Sequence, residues 1–283
     1  RHTGGNPLFV LETLKHAWER GPAGRGVAPL LARPASVGQL IGQRLARLSP
    51  DALALARLAA LAGPDFGIEL AEALLHTPAL RLADAWSELE SAQVLRGAQF
   101  AHDLVFEAVL AGVPLAIARH SHRSLAAWLQ QHGGEPERIA DHWQAGGDLA
   151  RSVEPLIEAG QRATARSFIA QARDHFERAV AAARDSGQRE AEFEALEALQ
   201  GNYVHDDPGA AHEALIERLQ ALARTPHERL RARAAAHALR LRRGLTLDPT
   251  SLQADLDEAI ALDDPPRIGE LADRKSTRLN SSH

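Results

Sequence analysis

Leu8, Phe9, Leu11, Leu14 and Trp18 recur three or four positions apart, the spacing that gathers side chains on one face of a helix. Asn6-Pro7 stands before them as a helix start. Asparagine can cap free amides, and proline in the first helical position has no amide to leave unsatisfied. "RGPAGRGVAP", 20–29, breaks this helix and marks a domain junction. Val37, Leu40, Ile41 and Leu45 then predict a helix after Ser36, and Pro50-Asp51 opens another through Leu61, stopped by Gly63-Pro64. Ile68 to Leu75 and Leu80 to Leu89 predict two more. Val94-Leu95 and Gln99 to Ala101, flanking Arg96-Gly97, read as a small hairpin. A helix over about 103–111 follows, and a long one runs from Pro114 to near Gly133-Gly134. Several helices, a hairpin and further helices within 36–133 fit a winged-helix module.

From Glu135 the pattern becomes a run of helix hairpins: "PERIADHWQAGG", "DLARSVEPLIEAG", "SFIAQARDHFERAVAAA" and "QREAEFEALEALQG", continued over 209–223, 226–243 and 249–262. "ARSVEPLIEAG" and "ARDHFERAVAA" are imperfect copies of each other. Such self-similarity is expected of a tetratricopeptide-like solenoid over 134–273, whose unit is usually about 34 residues. The fold class predicted is therefore mainly α, a winged helix with a small hairpin followed by an α-solenoid. The closing stretch "DRKSTRLNSSH" departs from the Ala/Leu/Arg texture before it. It resembles translated adapter sequence found at the ends of unrelated chains, so 274–283 reads as a non-native tail. An opening Arg1 and the absence of methionine read as an internal fragment.

Composition narrows the chemistry. The net charge is −5 and aromatic residues make up 4%, which argues against nucleic-acid binding through a basic surface or a stacking platform. The segment best placed to be a winged-helix recognition element, "PALRLADAWSELES" at 78–91, carries one Arg against one Asp and two Glu. With no cysteine there is neither a thiol nucleophile nor a thiolate metal site. No apolar run reaches the roughly 18 residues of a membrane span. The start lacks a signal peptide pattern, and a cytoplasmic protein is the expectation.

Catalytic motifs are not found. "GPAGRGVA" lacks the Gly-Lys-Ser/Thr ending of a phosphate-binding loop, and no Gly-x-Ser-x-Gly elbow positions a nucleophile. Fourteen histidines include no His-Glu-x-x-His, so they read as scattered over the surface, with no metal site. Glu190, Glu192, Glu194 and Glu197 read as one solvated acidic face.

Two motifs carry a resemblance. "TGGNPLFVLETL", with Gly5-Asn6-Pro7, resembles the end of the helical lid in signal-transduction ATPases with numerous domains, the STAND class, where a Gly-x-Pro motif is found. The stretch from "LARLSPDALALARLAALAG" to "ELESAQVLRGAQFAHDLVFEAVLAGVP" resembles the winged helix that follows the lid. Related members carry Met-His-Asp there. This chain has Ala101-His102-Asp103, so the methionine is replaced and His-Asp is kept.

The resemblance implies a nucleotide site in a longer parent protein. Gly5, Asn6 and Pro7 would line it, Pro7 packing near adenine or ribose with its rigid apolar ring. His102 would hydrogen-bond the β-phosphate of ADP and hold a resting state closed. Asp103 would cap the next helix and fix the pose of the histidine. The plainer alternatives are an Asn-Pro helix start and an Asp N-cap, although Phe106 occupies the position a reciprocal capping box would give to Glu or Gln.

On this resemblance the chain comprises a lid end at 1–20, a linker at 21–35, the winged helix and the repeats. It is not itself an enzyme. ATP or ADP belongs to the parent, whose P-loop lies outside the chain, and this chain alone binds neither tightly. The repeats would hold a protein partner or inducer, and the parent could oligomerise. The competing expectation is a non-enzymatic helical-repeat scaffold for protein interaction.

Overall fold

The computed structural model describes residues 37–203 and 209–280. Among these the chain forms fourteen α-helices and one two-stranded sheet. Its compact units divide between Trp128 and Leu129.

The first unit contains α1 (Val37–Leu45), α2 (Pro50–Ala62), α3 (Ile68–Leu75) and α4 (Ala79–Ser91). The hairpin β1 (Leu95–Arg96) and β2 (Gln99–Phe100) follows, then α5 (Asp103–Ala111) and α6 (Leu115–Gln131), whose last three residues belong to the second unit. Local chemistry sets these boundaries. The Ser49 hydroxyl accepts from the Ala52 amide at 3.2 Å, capping α2, while Pro50 and Asp51 suit its first turn. Ser49 is itself gripped from α4. Its amide and hydroxyl donate to the Glu88 carboxylate at 2.7 and 2.5 Å, holding that carboxyl below its usual pKa. Gly97, at φ +60°, makes the two-residue hairpin turn, with Leu95 opposite Phe100 and Arg96 opposite Gln99. Leu55, Leu70, Leu89, Leu95, Val105 and Val109 form the centre of the core.

The second unit contains α7 (Pro136–Ala145), α8 (Leu149–Ala165), α9 (Ile169–Asp185), α10 (Arg189–Asn202), α11 (Ala210–Leu222), α12 (Pro226–Arg242), α13 (Pro249–Ala261) and α14 (Pro265–Asn280). Each helix packs on the next. In addition α8 packs on α10, α10 on α12 and α12 on α14, so the even-numbered helices form a continuous layer flanked by the odd-numbered ones.

The helices stop in a recurring way. Gly147, Ser167, Gly187, Gly244 and Asp263 take positive φ, and the next amide returns to a carbonyl five residues back. Asp148 to Trp143, Gln188 to Ala183 and Asp264 to Ala259 are examples, at 2.9, 2.8 and 3.1 Å. Small side chains allow the layers to approach closely: Ala140, Ala179, Ala182 and Ala183 surround Val153 and Leu156 in one core cluster.

One expectation changes here. His142, His175 and His212 are buried, at 6%, 2% and 0% exposure, rather than scattered over the surface. They fall on helix faces turned inward, and helical spacing alone does not say how far the neighbouring layer covers a face. The stretch expected to be a non-native tail is helical through Asn280. Its first residue, Arg274, donates to the Ala234 carbonyl of α12 at 2.7 Å and pairs with Glu270. Among the described residues no single helix is long and apolar enough to cross a membrane.

Candidate functional site

Gly5, Asn6 and Pro7 lie outside the described residues, as do the expected lid end and the whole linker. His102 and Asp103 are described. The chain leaves β2 and reaches His102 in an extended conformation, φ −154° and ψ 143°, where the His102 carbonyl accepts from Val105 and Phe106 at 3.0 and 3.2 Å. That makes His102 the N-cap and Asp103 the first helical residue. Asp103 is therefore not the cap, and neither side chain makes a cap hydrogen bond. Its carboxylate instead sits in the first turn, where it offsets the positive end of the helix dipole.

Phe106 explains the missing capping box. Its ring meets Phe100 edge-on, centroids 5.5 Å apart, and this aromatic clamp sets the angle at which the chain enters α5. Both His102 and Asp103 are exposed, and the imidazole has no hydrogen-bond partner among the described residues. The ring stands at the cap without serving the cap.

A larger feature lies in the second unit, a cleft of about 760 Å³ between α8 and α10 with Gln130 at its edge. Glu154, Ile157, Glu158 and Gln161 recur at helical spacing and give the α8 wall. Ala191 and Glu194 give the α10 wall, and Val153 contributes to the lining.

The charges in this cleft are unevenly committed. Glu158 accepts from Arg162 at 2.7 Å. Arg151 lies 3.7 Å from Asp148 and 4.9 Å over the Trp143 ring. Gln188 donates to the Ala150 carbonyl at 3.0 Å. Glu154 and Glu194, one on each wall, have neither an ion pair nor a hydrogen bond among the described residues. The opening is therefore acidic over a partly aliphatic floor.

The four glutamates read as one solvated face divide into different roles. Glu192 is 3% exposed. Burial pushes its carboxyl up, but hydrogen bonds from Arg218 at 2.8 Å and Arg184 at 3.2 Å together hold it below the ordinary value. Glu197 joins Arg231 of α12 and Arg267 of α14. Glu190 is exposed beside Arg189, and Glu194 opens on the cleft. Arg218, Arg231 and Arg267 lie 26, 34 and 70 residues from the carboxylates they meet, so helical phase alone could not find them.

Asp255, with Arg233 at 2.7 Å and His237 at 2.8 Å, is another such tie, between α12 and α13. A smaller cleft of about 380 Å³ in the first unit is lined by Leu58, Leu61, Leu74 and Ile117, with Arg57 and His120 at its polar side. Among the described residues no group of three or more His, Cys, Asp or Glu side chains could hold a metal ion. No family model, curated protein or solved structure matches the chain.

Proposed function

We propose that this chain is the nucleotide-sensing and partner-binding portion of a STAND-class signalling or transcriptional regulator. The first unit acts as its winged helix and the second as its tetratricopeptide-like repeats, while the P-loop that binds and hydrolyses ATP belongs to the parent outside this chain. One observation carries the reading. His102 follows the hairpin directly, is exposed at the N-terminus of α5, and has a ring uncommitted among the described residues. Imidazole there can donate to a phosphate oxygen, and protonation adds charge attraction. Asp103 already offsets the helix dipole, so the ring must supply that attraction. Pro7, by resemblance, would pack on the nucleoside from the lid, with Gly5 and Asn6 beside it.

In the full parent, His102→Ala removes a charge-assisted hydrogen bond, of the order of 1.5–3 kcal/mol. ADP retention should fall by about ten- to a hundredfold and basal output should rise, because ligand bias depends on differential affinity for the two states. Unchanged ADP retention, measured by nucleotide release from purified parent, overturns the sensor role.

A second reading, a helical-repeat scaffold for protein interaction with no nucleotide role, is favoured by the cleft between α8 and α10. A coding sequence upstream without Gly-x-x-x-x-Gly-Lys-Ser/Thr would decide for it.

A further inference from the structure

We infer that the α8–α10 cleft receives an extended segment of a protein partner in which basic and aliphatic residues alternate. The inference rests on the partner-binding reading of the second unit and adds the chemistry of the bound segment.

Three independent features converge on that chemistry. The first is charge. Glu154 on α8 and Glu194 on α10 line the cleft with no hydrogen bond or ion pair among the described residues, Glu194 meeting only the longer-range charge of Arg231, and Glu158, held by Arg162, adds a third carboxylate. The one cation on the lining, Arg151, is engaged with Asp148 and stacked on Trp143. Leaving carboxylates unpaired inside a concave surface gains nothing for folding, whereas a Lys or Arg brought by a ligand meets a complementary field.

The second feature is the floor. The half-buried Ile157 and Ala191, with the exposed Ala150, offer aliphatic contact, while Val153 is buried in the core beside them. The third is the pair of amides, Gln130 and Gln161, which line the cleft with no hydrogen bond among the described residues. A carboxamide both donates and accepts, which suits the exposed N–H and C=O groups of an extended main chain. A helical ligand satisfies those groups internally and has no use for the amides.

In an extended chain successive side chains point to opposite sides. Aliphatic residues can then settle on Ile157 and Ala191 while the alternate basic residues reach the carboxylates on the two walls. A volume of about 760 Å³ lies within the usual range for a ligand cleft.

The test uses the whole 283-residue chain and three dye-labelled, acetylated hexapeptides: KLKLKL, QLQLQL and ELELEL, read by fluorescence anisotropy. KLKLKL should bind at least tenfold more tightly than ELELEL and weaken as salt is raised from about 50 to 300 mM, through screening. E154Q/E194Q should weaken KLKLKL by about tenfold, two part-exposed charges contributing roughly 0.7 kcal/mol each. E177Q/E217Q makes the same charge change on exposed faces of α9 and α11 and should leave binding unchanged.

Equal losses in both double variants would reduce the effect to net charge and overturn the inference. So would no loss in E154Q/E194Q, or self-association of the chain that E154Q/E194Q abolishes, which would put a second copy in the cleft. Gln161→Trp, which fills the cleft from an exposed position, separates the two levels of the claim. If it blocks QLQLQL while E154Q/E194Q has no effect on KLKLKL, partner binding stands and the basic chemistry fails. If no peptide binds the wild-type chain, both fail.

Discussion

Gly160 shows how one residue can reverse an ordinary rule. In the interior of a helix, alanine is normally better than glycine by about 0.5–1 kcal/mol. A Cβ on Gly160 would lie only 2.5 Å from Cε1 of Phe176, a ring 2% exposed in the neighbouring helix. Overpacking of that kind costs about 1–3 kcal/mol, so Gly160→Ala should destabilise the chain by about 1 kcal/mol or more, as read by urea unfolding. Adding Phe176→Leu to Gly160→Ala should return part of the loss. At this scale the sequence was legible where chemistry is local. The helix start at Pro50-Asp51, the hairpin around Gly97 and the start of the helix beyond His102 could all be read from neighbours within a few positions. Assigning the cap to Asp103 was one residue out, because Phe106 is recruited by Phe100 rather than by the capping pattern.

Among elements, α12 has the fullest set of end contacts. The Thr225 hydroxyl accepts from the Glu228 amide at 3.1 Å, the Glu228 carboxylate accepts from the Thr225 amide at 3.1 Å, and Pro226 opens the helix. Arg189 of α10 reaches the same carboxylate at 2.9 and 3.0 Å and also donates to the Leu222 carbonyl, which ends α11. One ion pair thus joins three helices. The hydrogen bonds from Arg189, aided by the amides of Arg224 and Thr225, lower the Glu228 carboxyl from 4.5 to about 2 against the opposing effect of burial. A depressed carboxyl contributes stability that is full above the unfolded pKa and is lost as pH falls through the folded one. Acid titration should therefore weaken α12 between about pH 4.5 and 2. Glu228→Gln should cost about 2 kcal/mol at neutral pH and flatten the stability profile across that window. Circular dichroism against pH and urea would show both, and an unaltered pH slope would contradict the assignment.

For the molecule as a whole, each stacked helix depends mainly on its neighbours, and the second unit has several apolar centres rather than one. Leu230, Leu247, Leu252 and Leu271 close its C-terminal end. Phe176, Phe193, Leu196 and Leu219 lie in the middle, beside the cluster around Val153 and Leu156. In such an array stability is close to a sum of local terms. Leu230→Ala, at a site with 0% exposure, should cost about 2–5 kcal/mol. Amide exchange should rise first in α12, α13 and α14 and least in α8 and α9. A uniform rise throughout the unit would show that it unfolds as a single cooperative block.

Helix positions, stops and the hairpin were determined by the sequence itself, because periodicity, caps and glycine or proline breaks act over one or two turns. His102 was singled out by the family resemblance and not by these local signals, which by themselves give only a helix start. Tertiary structure decided which polar side chains became internal ties and which remained available. Glu192 and Glu194 are two positions apart on one helix, yet one is buried between arginines and the other opens on the cleft. Helical phase gives a side chain its direction, but only the packed neighbour, tens of residues away in sequence, determines whether it meets a counter-charge, a wall of alanines or open space.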